Sequence, residues 1–173
     1  KAKTKAHGIS CMNNNKQLMM GWSFYADDAD DKLTWSYGDL GNAGRPTYEW
    51  GWMGNVSIDY SADPKNWDPS NRYSLSRSTI WKHVGQNVGV FRCPADTSTV
   101  KAGKLGTKPR VRSMSMNAWV GGNGQHGKNT GHYTWFGTPK DGTMFLSRSD
   151  MTAPGPSQTW VLIDERMDSI NDG

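Results

Sequence analysis

Residues 1–25 read KAKTKAHGISCMNNNKQLMMGWSFY, and this stretch decides the fold class. It contains no proline, and Gly8 and Gly21 are its weak points as a helix. Ala2, Ala6, Ile9, Met12, Met20 and Phe24 recur at steps of three, four or eight, which places them on one apolar stripe. Leu18 and Met19 broaden it. The spacing predicts a helix over 1–25 with Ile9, Met12, Met20 and Phe24 turned towards a sheet. Lys1, Lys3 and Lys5 come with no Ser, Asp or Asn ahead of the first turn to cap it, so the chain is expected to begin inside a longer helix.

Downstream of Tyr25 the character changes. Asp27, Asp28, Asp30 and Asp31 end the helical pattern, and residues 33–69 form a Gly-, Asn- and Trp-rich insert with Trp35, Trp50, Trp52 and Trp67. Within it, 47–53 reads as a strand. Residues 78–84 read as a short helix, with Ser78 as N-cap and Gly85 just past its end. Further strands are expected at 88–92 (stopped by Pro94) and 111–120, followed by a Gly/Asn loop at 121–131 and a hairpin from 133–136 and 143–146. The run Trp160-Val161-Leu162-Ile163 in 159–164 is continuously apolar, as in a central strand. One helix followed by short strands predicts an α+β fold, with a long N-terminal helix on an antiparallel sheet and large Trp/Gly-rich loops. The sheet region spans 88–165, and the whole of 1–173 reads as a single domain.

Composition narrows the function. A length of 173 residues supports one core. Nine Trp, six Tyr and four Phe argue against disorder, which goes with few aromatics. No apolar run approaches the ~20 residues of a membrane span, and no signal peptide is visible, so the chain as given reads as soluble. A net charge of +4 is mild and does not point to a nucleic-acid enzyme. The densest basic stretch, Lys101, Lys104, Lys108, Arg110 and Arg112, has no aromatic between Phe91 and Trp119 for base stacking and reads as a solvated loop.

Four groups of residues carry candidate chemistry. Asp27, Asp28, Asp30 and Asp31 offer hard oxygens for calcium, though without the glycine and distal Glu of an EF-hand; their bland reading is a solvated helix exit. A second oxygen set is Asp164, Asp168 and Asp172. Cys11 and Cys93 are not in zinc-like spacing, so counting leaves one disulfide or two buried thiols. Trp50 and Trp52 flank Gly51, and alternate strand residues share a face, so they form either a core ridge or a platform for a sugar ring. The fourth group rests on the chain's two glutamates, Glu49 and Glu165. Glycoside hydrolysis needs two carboxyl groups across the scissile bond, and Glu49, beside Tyr48 and Trp50, with Asp164 or Glu165 as partner, is the pair on which such an activity would depend. His7, His83, His126 and His132 are dispersed in no ligand spacing, and no nucleophile elbow or phosphate-binding loop is present.

Five segments, in order along nearly the whole chain, resemble the PulG-like pilins and pseudopilins that carry a prepilin-type cleavage and methylation signal. Cys11-Met12-Asn13-Asn14-Asn15-Lys16-Gln17-Leu18 is similar to the helix signature of the subgroup that usually ends in a His and Asp-Gly motif, and Tyr25-Ala26-Asp27-Asp28 to its helix exit. Phe91-Arg92-Cys93-Pro94-Ala95-Asp96 and Arg112-Ser113-Met114-Ser115-Met116-Asn117 resemble its mid-chain blocks. Asp164-Glu165 with Ser169-Ile170-Asn171-Asp172-Gly173 resembles its late block. The resemblance implies a pilin-like fold and a structural role as a subunit of a type II secretion or type IV pilus-like filament, with no catalytic residues and no cofactor. Its partners would be other pilin-like subunits and, under the alternative of a glycan-active hydrolase or carbohydrate-binding module, a polysaccharide. Membrane contact would come only through an apolar N-terminal half-helix that the 173 residues do not include. The implied location is extracytoplasmic, which favours a Cys11–Cys93 disulfide.

Overall fold

The computed structural model describes residues 2–36, 51–54, 56, 62–71, 74–122 and 144–165. Its dominant element is helix α1, Ala2–Asp28, the only α-helix among the described residues. Four short strands follow: β1 (Thr99–Lys101), β2 (Thr107–Pro109), β3 (Met114–Met116) and β4 (Leu162–Asp164). They pair antiparallel as β1–β2 and β3–β4, with Thr99 opposite Pro109 and Met114 opposite Asp164. The architecture is therefore α+β, one long N-terminal helix with small antiparallel sheets.

The helix docks by a face other than the expected one. Ile9, Met12, Met20 and Phe24 are exposed, at 63, 61, 55 and 48%. Leu18, Gly21, Trp22 and Ala26 are buried instead, and Cys11 packs against the same core. The physical reason is fit. A Cβ on Gly21 would lie 2.5 Å from Val84 Cγ1, so only glycine lets the helix approach the turn at Lys82–Val84 this closely. Asn14, on the same side, donates from Nδ2 to the carbonyls of Gly89 (3.0 Å) and Arg92 (2.8 Å). These ties hold the docking face more specifically than the unbranched methionines of the other side. Residues 2–6 are exposed all round.

The helix takes in Asp27 and Asp28, two of the four acidic residues expected to end it. It stops where Asp30 and Asp31 take left-handed backbone angles (φ 53° and 68°), with the Asp31 N–H bonded to the Ala26 carbonyl at 2.9 Å. Arg148 closes this exit, reaching Asp27 at 2.6 Å and Asp31 at 2.9 Å.

Several expected strands take other forms. Residues Val88–Phe91 form a 3-10 turn, because the Asn87 side chain accepts the Gly89 N–H at 2.9 Å and so caps a helical turn. The strand expected at 111–120 shrinks to β3. Expected as a central strand, 159–164 keeps only β4, whose sole strand partner among the described residues is β3; Trp160 and Ile163 are 55 and 44% exposed. Of the short helix expected at 78–84 only the 3-10 turn Lys82–Val84 forms, capped at its start by Trp81 and ended by Gly85 in the left-handed region at φ 64°; Ser78 Oγ accepts the Ile80 N–H at 3.3 Å ahead of it. Phe145 meets Val120 in an isolated parallel bridge. The expected strand at 133–136 and most of 47–53 lie outside the described residues.

The core lies beneath α1. Trp52 and Phe91 stack at 6.2 Å between ring centroids, with Leu18, Leu75, Ile80 and Met114 fully buried around them.

Candidate functional site

Of the candidate residues, three are brought together: Cys11, Cys93 and Asp164. Cys11 and Cys93 meet at disulfide distance with Cα atoms 4.8 Å apart, 82 residues apart in sequence. Their sulfurs and an Asp164 carboxylate oxygen all lie within 4.8 Å of one another. Each residue comes from a different element. Cys11 sits in the first half of α1, Cys93 just past the 3-10 turn Val88–Phe91, and Asp164 at the end of β4.

Ser113, just ahead of β3, orients the group. Its Oγ accepts the Cys93 N–H at 2.8 Å and donates to Asp164 Oδ1 at 2.7 Å. Cys93 Sγ also accepts the Ala95 N–H at 3.4 Å. Beside the sulfurs, Gly89, Arg92, Cys93, Pro94 and Asp96 line an open pocket of about 270 Å³. Arg92 is folded back in its wall, with Nε 3.3 Å from Asp96 Oδ2 and Nη2 2.6 Å from the Asp96 carbonyl.

Asp164 is an exposed residue whose carboxyl end turns inward to Ser113 and the sulfurs. Burial of that end raises its pKa; the Ser113 hydrogen bond opposes this, and the negative charge of Asp96 adds to it. Glu165 is raised as well, chiefly by burial, with Ser115 and Arg112 acting the other way. Successive residues of an extended chain face opposite sides. Asp164 reaches Ser113 and the two sulfurs, whereas Glu165 lies near Ser115 and Arg112; Glu49, the expected partner of either, lies outside the described residues.

The other candidates are placed elsewhere. Trp52 is wholly buried, stacked on Phe91 with the Arg112 guanidinium 5.4 Å above its ring, so it is a core residue and not a sugar platform. Pairing with cations occupies the acidic run. Asp28 bonds Lys82 at 2.9 Å, and Asp27 and Asp31 both bond Arg148. The hydrogen bonds from Lys82 and Arg148 are the main reason that Asp28 and Asp31 titrate below the usual carboxylate range. Among the described residues, Asp27, Asp28, Asp30 and Asp31 do not gather into a metal-binding group. Glu49, Trp50, Asp168 and Asp172 lie outside the described residues.

Sequence reasoning overlooked Ser113, Asn14 and Arg148. Each acts on residues at least 20 positions away, and only the fold creates those contacts. Compared with known proteins, the chain matches no family model, no curated protein and no solved structure. No helix among the described residues is long and apolar enough to cross a membrane.

Proposed function

We propose that this chain is the globular part of a pilin-like or pseudopilin subunit of a type II secretion or type IV pilus-like filament, working outside the cytoplasm. The observation that carries the reading is the division of α1. One face is fastened to the core, while Ile9, Met12, Met20 and Phe24 leave an apolar stripe on the other. These positions fall within one half-circumference of the helix, as a strip for packing against neighbouring helices does. A subunit that buries its helix only on assembly has a use for such a strip. The order of the five sequence segments supports the same reading, as do small sheets packed beneath one long helix.

The test is assembly. Joined behind the apolar half-helix of a pseudopilin and expressed with that system's assembly apparatus, the protein is expected to enter sheared filaments. Met12→Glu, on the exposed stripe, is expected to block entry while the purified globular part keeps its melting temperature. Absence of the folded, processed wild type from filaments would overturn the proposal.

A further inference from the structure

The grouping of Cys11, Cys93 and Asp164 has a chemistry of its own. Two thiolates and one carboxylate are a donor set for a borderline-soft ion such as zinc, and a poor one for calcium or magnesium, which take oxygen ligands alone. Tetrahedral zinc with bonds of about 2.3 Å to sulfur and about 2.1 Å to oxygen sets its ligand atoms about 3.5–3.8 Å from one another. The three donor atoms already lie within 4.8 Å, so the site forms once the sulfurs part and the carboxylate closes in on them.

Two further features fit an ion here. Ser113 donates to Asp164 Oδ1 while accepting from the Cys93 backbone, the kind of outer contact that aims a ligating carboxylate. Oδ1 is thereby held, and the carboxylate can bind a metal ion through its second oxygen. The pocket at Gly89, Pro94 and Asp96 opens beside Cys93 and admits a water as fourth ligand.

We propose that, once the sulfurs are reduced, Cys11, Cys93 and Asp164 bind a thiophilic divalent metal ion of the zinc type, and that the ion and the disulfide exclude one another. The inference holds whether or not the chain assembles into filaments. Before oxidation, the ion would hold α1 against the segment after Phe91 as the disulfide does later. Formation of the site from the disulfide needs two electrons. A water-soluble phosphine supplies them, leaving as its oxide with oxygen from water, while water's two protons convert the sulfurs to thiols. Binding of the ion then releases those two protons to solvent.

The experiment uses the folded protein, reduced by the phosphine and freed of it under anaerobic conditions. Cobalt(II) is the spectroscopic probe and zinc its competitor. One cobalt per chain is expected, with thiolate-to-cobalt charge-transfer absorption, displaced by one equivalent of zinc. Oxidised protein is expected to show no such absorption. Asp164→Asn, which retains both cysteines and is first checked for wild-type near-ultraviolet circular dichroism, is expected to bind zinc about tenfold or more weakly. Cys93→Ser is expected to lose the charge-transfer band. Absence of the band from reduced wild type, undiminished zinc affinity in Asp164→Asn, or equal binding in urea-unfolded chain would each overturn the proposal.

Discussion

The two faces of α1 differ in a way that composition does not foretell. One carries Ile9, Met12, Met20 and Phe24 and meets solvent; the other carries Cys11, Asn14, Leu18, Gly21, Trp22 and Ala26 and meets the core. The exposed face carries large apolar side chains at these four positions, with the exposed Asn13 and Lys16 among them. What distinguishes the docked face is complementarity: a glycine under Val84, an amide reaching two carbonyls and a sulfur at bonding distance from Cys93. Hydrophobicity supplies the drive to bury surface, but it is non-directional. Shape and specific partners choose which surface is buried.

The sharpest way to break this comparison is to unfasten the docked face. Cys11→Ser with Cys93→Ser opens a link across 82 residues, and the chain-entropy model puts the loss at about 4 kcal/mol in chemical unfolding. A loss below about 1 kcal/mol would mean that the pairing is not what holds the helix. Leu18→Ala removes a fully buried side chain and is expected to cost about 3 kcal/mol. Asn14→Ala leaves the carbonyls of Gly89 and Arg92 without their amide donor, for an expected loss of about 1–2 kcal/mol in the same assay. On the opposite face, Ile9→Gln and Met12→Gln are expected to change stability by no more than about 0.5 kcal/mol. Equal losses from Leu18→Ala and Met12→Gln would erase the distinction between the faces.

The smallest effect is a pH dependence. Burial raises the Glu165 pKa in the folded chain above its unfolded value. The folded state then binds the proton more tightly, so this group's contribution is most favourable at low pH and declines as pH rises between the unfolded and folded pKa values. Glu165→Gln should therefore gain more stability relative to wild type at pH 7 than at pH 4. Asp31 behaves oppositely. Arg148 lowers its pKa, so its contribution is present above the unfolded value and is lost as pH falls through the folded one. Asp31→Asn should narrow its difference from wild type as pH falls, as melting temperatures across the pH range would record.

Much of the helix was legible, because periodicity and the lack of proline act locally. Its extent was read to within a few residues of Ala2–Asp28, and its acidic exit lies close to where the Asp cluster pointed. Its docking side was not legible, because Gly21 has meaning only once Val84 is opposite it. The strand expected at 88–92 failed for a local reason: the Asn87 side chain captures the Gly89 N–H and favours a tight turn. At the site, Asp164 was singled out for its oxygens, yet its neighbours are sulfurs from residues 11 and 93, which only the fold brings to it. The Trp52 ring reads as core ridge before platform, but a strand face does not tell which side water occupies; its burial against Phe91 settles it as core.

The position of Cys11 along the helix also governs how the molecule carries a mechanical load. Residues 2–6 stand clear of the body, and Cys11 is the first helical residue with a covalent tie to it. Tension applied at the start of α1 therefore leaves the helix through the sulfurs into Cys93 before reaching Leu18 and Trp22. The packed interface beyond is shielded from shear while the bond is intact. Reduction moves the same pull onto Asn14, Leu18 and Trp22, so one pair of sulfurs separates a tether that transmits force from a helix that can be peeled away.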